Sequence, residues 1–259
     1  MSEQILILGS GNAFFTDGRA HACYMAQWPD PSSSGTIRML VDYGASSLMR
    51  MNQEKIAPST IQSLFLTHFH GDHIGGLPFL LIHFKYIDRR KEPFWILGPA
   101  GVEQAVTDLL EQMYPGMELD FPLYFKELKA SESTSFMGAS IEPRPVTHRP
   151  ESVALRLSFP SGKLFAFSGD AAMDDLLVQA LEDSDLSIVE LSIESQPDPD
   201  HPTVAHVSLQ ELMEQRDRIR TGRLVVSHIY NDLASQVEKV NSDRPGFAEP
   251  AFDGLVLSL

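Results

Sequence analysis

Cysteine is almost missing from this chain. Cys23 is the single one among 259 residues, so an intramolecular disulfide is impossible. No apolar run approaches the roughly 18 residues that a membrane-spanning helix requires. The opening Met1-Ser2-Glu3-Gln4-Ile5-Leu6-Ile7-Leu8 has no basic flank, and its apolar stretch is too short for a signal peptide. Basic residues are also scarce, 20 against 35 acidic ones, giving a formal charge of −15. That balance argues against long-range attraction to nucleic acid or to an anionic membrane. It still allows a small anionic substrate drawn to a bound cation, because the ion's own charge enters the local field. A reducing, cytoplasmic setting is the expectation, with Cys23 acting as a small buried apolar residue. One nucleotide signature is missing too. Gly9-Ser10-Gly11 begins like a phosphate loop, but position 14 is Phe14 and no Lys-Ser/Thr pair follows. Close packing of backbone suffices to explain those glycines.

Apolar residues make up 43% and charged residues 21%, values of an ordinary globular chain able to bury a full core. Strand-like runs open it at Ile5–Leu8, Ala22–Trp28 and Ile37–Val41, with a short helix over 46–52. Ser63–Leu66 is a fourth strand, then Leu77–Tyr86 a helix ending in the solvated run Asp88-Arg89-Arg90-Lys91. Phe94–Leu97 is a strand and Val102–Met113 has a helical apolar period. A strand-rich middle holds Tyr124–Leu128, one extended segment Phe136–Val146, Ala154–Phe159 and Lys163–Phe167. Helices are expected at Met173–Leu181, Leu209–Ile219 and Leu233–Val240, and strands at Leu186–Leu191, Leu224–Ser227 and Leu255–Leu259. The proline-rich Ser195–Pro202 reads as a loop, not a boundary. Strands therefore fall in two groups, each followed by helices, without regular alternation. Two mixed sheets face to face with helices outside would bury this pattern in one domain, residues 1–259, of α/β class.

The densest chemistry lies at Thr67-His68-Phe69-His70-Gly71-Asp72-His73, directly after the buried strand. Such a cluster is costly unless a cation organises it. His68 and His70 are two apart and share a side if strand geometry continues. Gly71 would permit a sharp turn that brings Asp72 and His73 in from another direction. Neither pair completes a site alone. His148, Asp170 and His228 each stand where a later apolar strand emerges. His68, His70 and His148 would hold one divalent ion, Asp72, His73 and His228 a second, and Asp170 would bridge them. Asp170 also suits a cap for the helix at Met173. His206, before Ser208 and Glu211, is placed to protonate a leaving group. Asp42 is either a holder of a ligand imidazole or a simple turn cap. His21 and His83 read as structural, and His201 as solvated.

In these residues the chain resembles the metallo-β-lactamase-fold hydrolases. The family's H-x-H-x-D-H signature stands as His68-Phe69-His70-Gly71-Asp72-His73, and its later ligand positions match His148, Asp170 and His228. Gly75-Gly76-Leu77-Pro78, Gly98-Pro99-Ala100-Gly101 and Ser168-Gly169-Asp170 are similar to the ribonuclease Z branch, which includes phosphodiesterases of small and cyclic nucleotides. The branch's catalytic-region histidine falls on His206 in His-x-Ser-x-x-Glu. The resemblance implies a four-layer αββα sandwich and two divalent ions, Zn²⁺ first, with Mn²⁺ or Fe²⁺ also compatible with the donors. It implies hydroxide held by the ions as nucleophile, with Asp72 and His206 as the catalytic residues. Three departures tell against tRNA as substrate. Positions 149 to 169, between His148 and Asp170, leave no room for a long basic arm; the tRNA-contact loop before His148 is missing; and Ile229-Tyr230 follows His228 where an arginine-bearing Phe-Ser-x-Arg is usual. Hydrolysis of a small phosphodiester is the expected activity, in a soluble enzyme expected to form a homodimer. A tRNA 3′-processing activity, a thioester, lactone or sulfate ester hydrolase, and a non-catalytic metal-stabilised binding protein are the alternatives.

Overall fold

A computed structural model describes residues 3–197 and 204–259. His201 and the end of the Ser195–Pro202 segment lie outside the described residues.

The first strand shows why the architecture is layered. In β1 (Gln4–Gly9), Ile5 and Ile7 enter one apolar cluster, while Leu8 enters another on the opposite face. A strand that is apolar on both sides must be covered on both sides. Next come β2 (Cys23–Pro29), β3 (Thr36–Val41), β4 (Ser63–Phe65), β5 (Phe94–Gly98) and β6 (Leu123–Glu127). The chain pairs β1, β2 and β3 antiparallel, then β3 to β6 parallel. The second sheet repeats that plan. Its β7 (Thr134–Phe136), β8 (Ala139–Pro145), β9 (Val153–Ser158) and β10 (Leu164–Phe167) pair antiparallel. Parallel pairing then takes over through β11 (Leu186–Glu190), β12 (Leu224–Ser227) and the short β13 (Glu249–Pro250). Finally β14 (Val256–Ser258) returns to the edge of the first sheet, antiparallel to β1, so each sheet has seven strands among the described residues.

Between the sheets, Tyr24, Trp28 and Phe65 pack with Leu155, Phe165 and Val225. Outside the first sheet lie α1 (Ser47–Gln53), α3 (Leu77–Tyr86) and α4 (Val102–Met113), with the one-turn α2 (Gly71–Ile74) at its top. Outside the second lie α5 (Asp175–Leu181), α6 (Leu209–Gln215) and α7 (Leu233–Asp243). This is the four-layer αββα sandwich. Two polar ties cross the interior: Trp28 Nε1 donates to Met137 O at 2.8 Å, and Tyr24 Oη meets Ser227 Oγ at 2.8 Å. Among the described residues, no helix is long and apolar enough to cross a membrane.

Several local expectations need correction. Phe136–Val146 is not one extended segment: it folds at Met137 and Gly138, with φ of 48° and 86°, into the β7–β8 hairpin. The left-handed pair makes the tight turn, and Gly138 has the φ that glycine adopts freely. The helix after Asp170 begins at Asp175 and is capped by Asp174, whose Oδ1 accepts from Leu176 N and Leu177 N at 3.0 and 3.1 Å. Asp170 is therefore free of that duty. The 209–219 helix ends at Gln215 and tightens into a 3₁₀ turn over Arg216–Arg218. Arg90, within the run expected to be solvated, is buried. Its guanidinium lies 4.6 Å from the Phe84 ring and donates to the carbonyls of Glu92 and Pro93 at 2.9 Å. The arginine thus spends its charge on an aromatic face and on backbone, as buried guanidinium groups must.

Candidate metal centre

Polar residues collect where strands end. Asp42 follows β3, His68 to His73 follow β4, Asp170 follows β10, and His228 follows β12; His148 lies in the β8–β9 connection. Parallel strands aligned in register bring their carboxyl ends to one edge, which is where such sheets bind ligands. Gly71 does not make the expected turn: its φ is not left-handed, and it simply opens α2, so that Asp72 and His73 ride on a helical turn. The close approach belongs to Gly44 and Gly76. A Cβ on Gly76 would lie 2.2 Å from Gly44 O, and one on Gly44 would lie 2.2 Å from Asp72 O.

All seven predicted side chains converge. Ligand atoms of His68, His70, His148 and Asp170 lie within 4.8 Å of one another, as do those of Asp72, His73, Asp170 and His228. Asp170 belongs to both sets. Its Oδ1 is 3.2 Å from His73 Nε2 and 3.5 Å from His228 Nε2, while its Oδ2 is 3.8 Å from both His68 Nε2 and His148 Nε2. Three of these atoms, His68 Nε2, His73 Nε2 and Asp170 Oδ1, are buried without a hydrogen-bond partner. Buried polar atoms left unpaired are costly. Here they face a common point together with further nitrogen and oxygen donors, an arrangement that fits divalent cations.

The outer nitrogens of four of the rings, those of His68, His73, His148 and His228, are held by neighbours, as ligand imidazoles usually are. His148 Nδ1 donates to Ala205 O at 2.8 Å, which leaves Nε2 facing inward. His73 Nδ1 donates to Asp42 Oδ2 at 2.8 Å. Asp42 also accepts from Thr67 N at 2.8 Å and from Thr67 Oγ1, whose oxygen is 3.0 Å from His68 Nδ1. Asp42 therefore orients an imidazole, as one of its two sequence readings held. His228 Nδ1 meets Ser192 Oγ at 2.8 Å, and that hydroxyl donates on to Glu190.

Charge balance in the centre follows the same geometry. Burial, reinforced by His73, pushes the His68 imidazole down to about 2, so it is a neutral donor. Burial also disfavours the charged form of His73, yet Asp170 and Asp42 outweigh it and raise its pKa. His228 behaves likewise, with Asp170 and Asp72 outweighing its burial. Asp72 and Asp170 stay below the usual carboxylate range because histidines outweigh the burial penalty.

His206 stands beside this centre, its ring centroid 4.8 Å from that of His148 and 6.0 Å from that of His228. Its Nδ1 lies 2.8 Å from Glu190 Oε1. Burial opposes the imidazolium, but the bond to Glu190 and its charge prevail and raise the pKa to about 9. Glu190 was not singled out in the sequence. It is 1% exposed and ends β11, and it also accepts from Ala171 N at 2.7 Å. The signal was present: a carboxylate closing the apolar run Leu186-Ser187-Ile188-Val189, by the same rule that marked Asp170 and His228. Of the remaining histidines, His21 takes an amide hydrogen from Ala45 and His83 pairs with Asp88 at 3.3 Å, and neither belongs to the two ligand sets.

The model of the family described as anti-Pycsar protein Apyc1 matches residues 3–251. The chain belongs to that family. Ribonuclease Z of Methanosarcina acetivorans is 24% identical over 288 aligned residues, covering 93% of this chain and 92% of its own. Among solved structures, the metallo-β-lactamase fold protein YhfI from Bacillus subtilis superposes with a TM-score of 0.77 at 18% identity, covering 100% of both chains. The human tRNase Z short form gives 0.74 at 21% identity, with 98% of each chain covered. With the ligand sets above, these likenesses identify a metal-dependent hydrolase of the metallo-β-lactamase fold.

Proposed function

We propose that the protein hydrolyses a small phosphodiester, a linear or cyclic nucleotide, at a two-ion centre held by His68, His70, His148, Asp72, His73, His228 and the bridging Asp170. When bound, divalent ions of the zinc type supply Lewis acidity toward phosphoryl oxygens and make a site water acidic enough to attack near neutral pH. Asp72, partly open to the site, orients the attacking water by accepting its hydrogen bond. A new P–O bond forms to that water as the opposite P–O bond breaks. His206 gives its proton to the departing alkoxide, and Glu190 steadies the charge while the ring holds it.

The observation that carries this reading is the buried Glu190 clasping His206 at 2.8 Å beside the ligand set. A positioned imidazolium serves an alkoxide leaving group, which departs poorly without a proton. A thiolate needs no such help, which tells against a thioester. A tRNA 3′-processing activity is the second reading, favoured by the near full-length likeness to a ribonuclease Z. Against it stand the charge of −15 and the segment from Val153 to Phe167, which folds as the β9–β10 pair without a protruding arm.

The test combines metal analysis with turnover of cyclic nucleotides, linear diesters, a precursor tRNA and a thioester by the metal-loaded protein. Two ions per chain and cleavage of small diesters are expected. Two ions with thioester cleavage and intact diesters would sink the proposal, and preferential tRNA cleavage would install the second reading.

A further inference from the structure

Large apolar side chains rarely stand well out of a folded surface in contact with one another unless something binds there. Phe14 is 75% exposed and Tyr230 37% exposed, and their rings meet edge to face with centroids 6.1 Å apart. Both belong to loops at the rim of the metal centre. Tyr230 comes two residues after His228. Phe14 comes from the β1–β2 loop, which joins the His228 loop directly through a bridge between Gly11 and Ile229, with Ile229 N donating to Ser10 O at 3.0 Å. The same loop reaches the ligands through His21, whose Cβ and the Asp72 carbonyl flank Gly44 so closely that an added Cβ there would strike both.

The loop is built to hold Phe14 outward. Asn12, buried, accepts from Phe14 N at 3.0 Å and Thr16 Oγ1 at 3.2 Å. Arg19 donates to Ser10 Oγ and Ala251 O at 2.8 and 2.7 Å. Phe15 sits in the left-handed region, φ 54°, and stacks on His21 with centroids 3.7 Å apart. A non-glycine residue in that region is uncommon and persists where its surroundings enforce it. The result is an aromatic corner whose open faces are fixed beside a phosphoryl-binding centre.

We propose that Phe14 and Tyr230 form a platform on which the nucleobase of the substrate stacks while its phosphodiester occupies the metal centre. The inference rests on the diesterase reading above and adds the residues that would hold the nucleoside and so separate such a diester from a simple alkyl one. Stacking tolerates every base, because each has a π-face, so the platform selects nucleosides without selecting sequence.

Thymidine 5′-p-nitrophenyl phosphate and methyl p-nitrophenyl phosphate share a leaving group and differ in the nucleoside, so the ratio of their kcat/KM values reads the platform. Phe14→Ala should lower that ratio by roughly 5- to 150-fold, chiefly through KM, and Tyr230→Ala by a similar factor. Phe14→Tyr should restore it. An unchanged ratio in both alanine variants overturns the proposal. So does a changed oligomeric state of Phe14→Ala in sedimentation, which would make the rings a protein contact. If the wild type cleaves neither ester nor a cyclic nucleotide, the diesterase reading fails, and binding decides the platform by itself. Saturation-transfer NMR with thymidine 5′-monophosphate should then mark the base protons with wild-type protein and lose them with Phe14→Ala. Equal signals from both proteins would again overturn it.

Discussion

Glu190 Oε1 lies 2.8 Å from His206 Nδ1, and it makes that contact from a strand end closed to solvent. The consequence is a pH profile. A pKa raised from 6.5 to about 9 means that the ring keeps its proton through neutrality and loses it as pH rises through that value. Activity that needs the acid form should fall on the same limb. Glu190→Gln removes the raising charge, so the alkaline limb should move down toward the ordinary histidine value of about 6.5. Rate profiles from pH 5 to 10 check this; superimposable limbs would show that Glu190 has no hold on the proton.

Removing the ring gives a second readout. His206→Ala should cost about 10²- to 10⁴-fold on a diester with an alkyl leaving group. The loss should be far smaller with p-nitrophenolate, which departs unprotonated. Equal losses on both would assign His206 to substrate orientation instead.

Asp42 touches His73 and Thr67 but is not in either ligand set. Asp42→Asn keeps the size and tolerates the residue's φ of 55°, yet removes the charge that raises the His73 pKa. Metal affinity should drop by about 10- to 100-fold, measured by competition with a chromogenic chelator. Excess metal should recover most of the activity. Unaltered affinity would reduce Asp42 to a turn residue.

Protons and cations compete for the same lone pairs. Because His73 and His228 have raised pKa values in the metal-free protein, loading should expel protons, and affinity should weaken as pH falls. Calorimetric titration in two buffers of different ionisation enthalpy counts those protons. A heat independent of buffer would contradict the assignment. Chelation should in turn lower the melting temperature, since the ions bind the folded chain.

Two glycines of the same motif should respond oppositely. Gly71→Ala places its Cβ where nothing lies within 4 Å, whereas Gly76→Ala drives one to 2.2 Å from Gly44 O. The first should leave the thermal midpoint of the metal-free protein nearly unchanged or slightly raised, the second should lower it sharply. Similar midpoints would mean that the 43–44 turn yields more easily than its packing indicates.

What could be read beforehand follows from how local each signal is. Leu77–Tyr86, read from its long apolar run, and Val102–Met113, read from its apolar period, appear with the expected bounds, because a helix is specified by its own residues. The cluster at His68–His73 was legible because four titratable residues fall in six positions, and Asp170 and His228 because each follows an apolar strand; His148, which joins them, lies in the β8–β9 connection. The Met137–Gly138 turn was hidden: Phe136 and Met137 carry the apolar pattern straight through it. Glu190 was hidden in the opposite way, a single charge in a run otherwise read as core, whose partner His206 is sixteen positions away. Arg90 was misplaced because charge suggests solvent, while Phe84 and the later Phe94 supply the aromatic faces that cover it. The order of the strands is set by parallel pairings across whole helices, and no local pattern encodes those.

The pairing of β14 with β1 also bears on how the protein is born. Gln4 and Ser258, which meet in that pair, are made far apart in time, and His228 is made long after His68. A nascent chain therefore exposes the His68–His73 motif long before its partners exist. Its first sheet waits with an open edge, and such edges are prone to aggregate. The two side-chain sets can close only once the segment through His228 has been made, so translation products that stop before it should be inert rather than partly active.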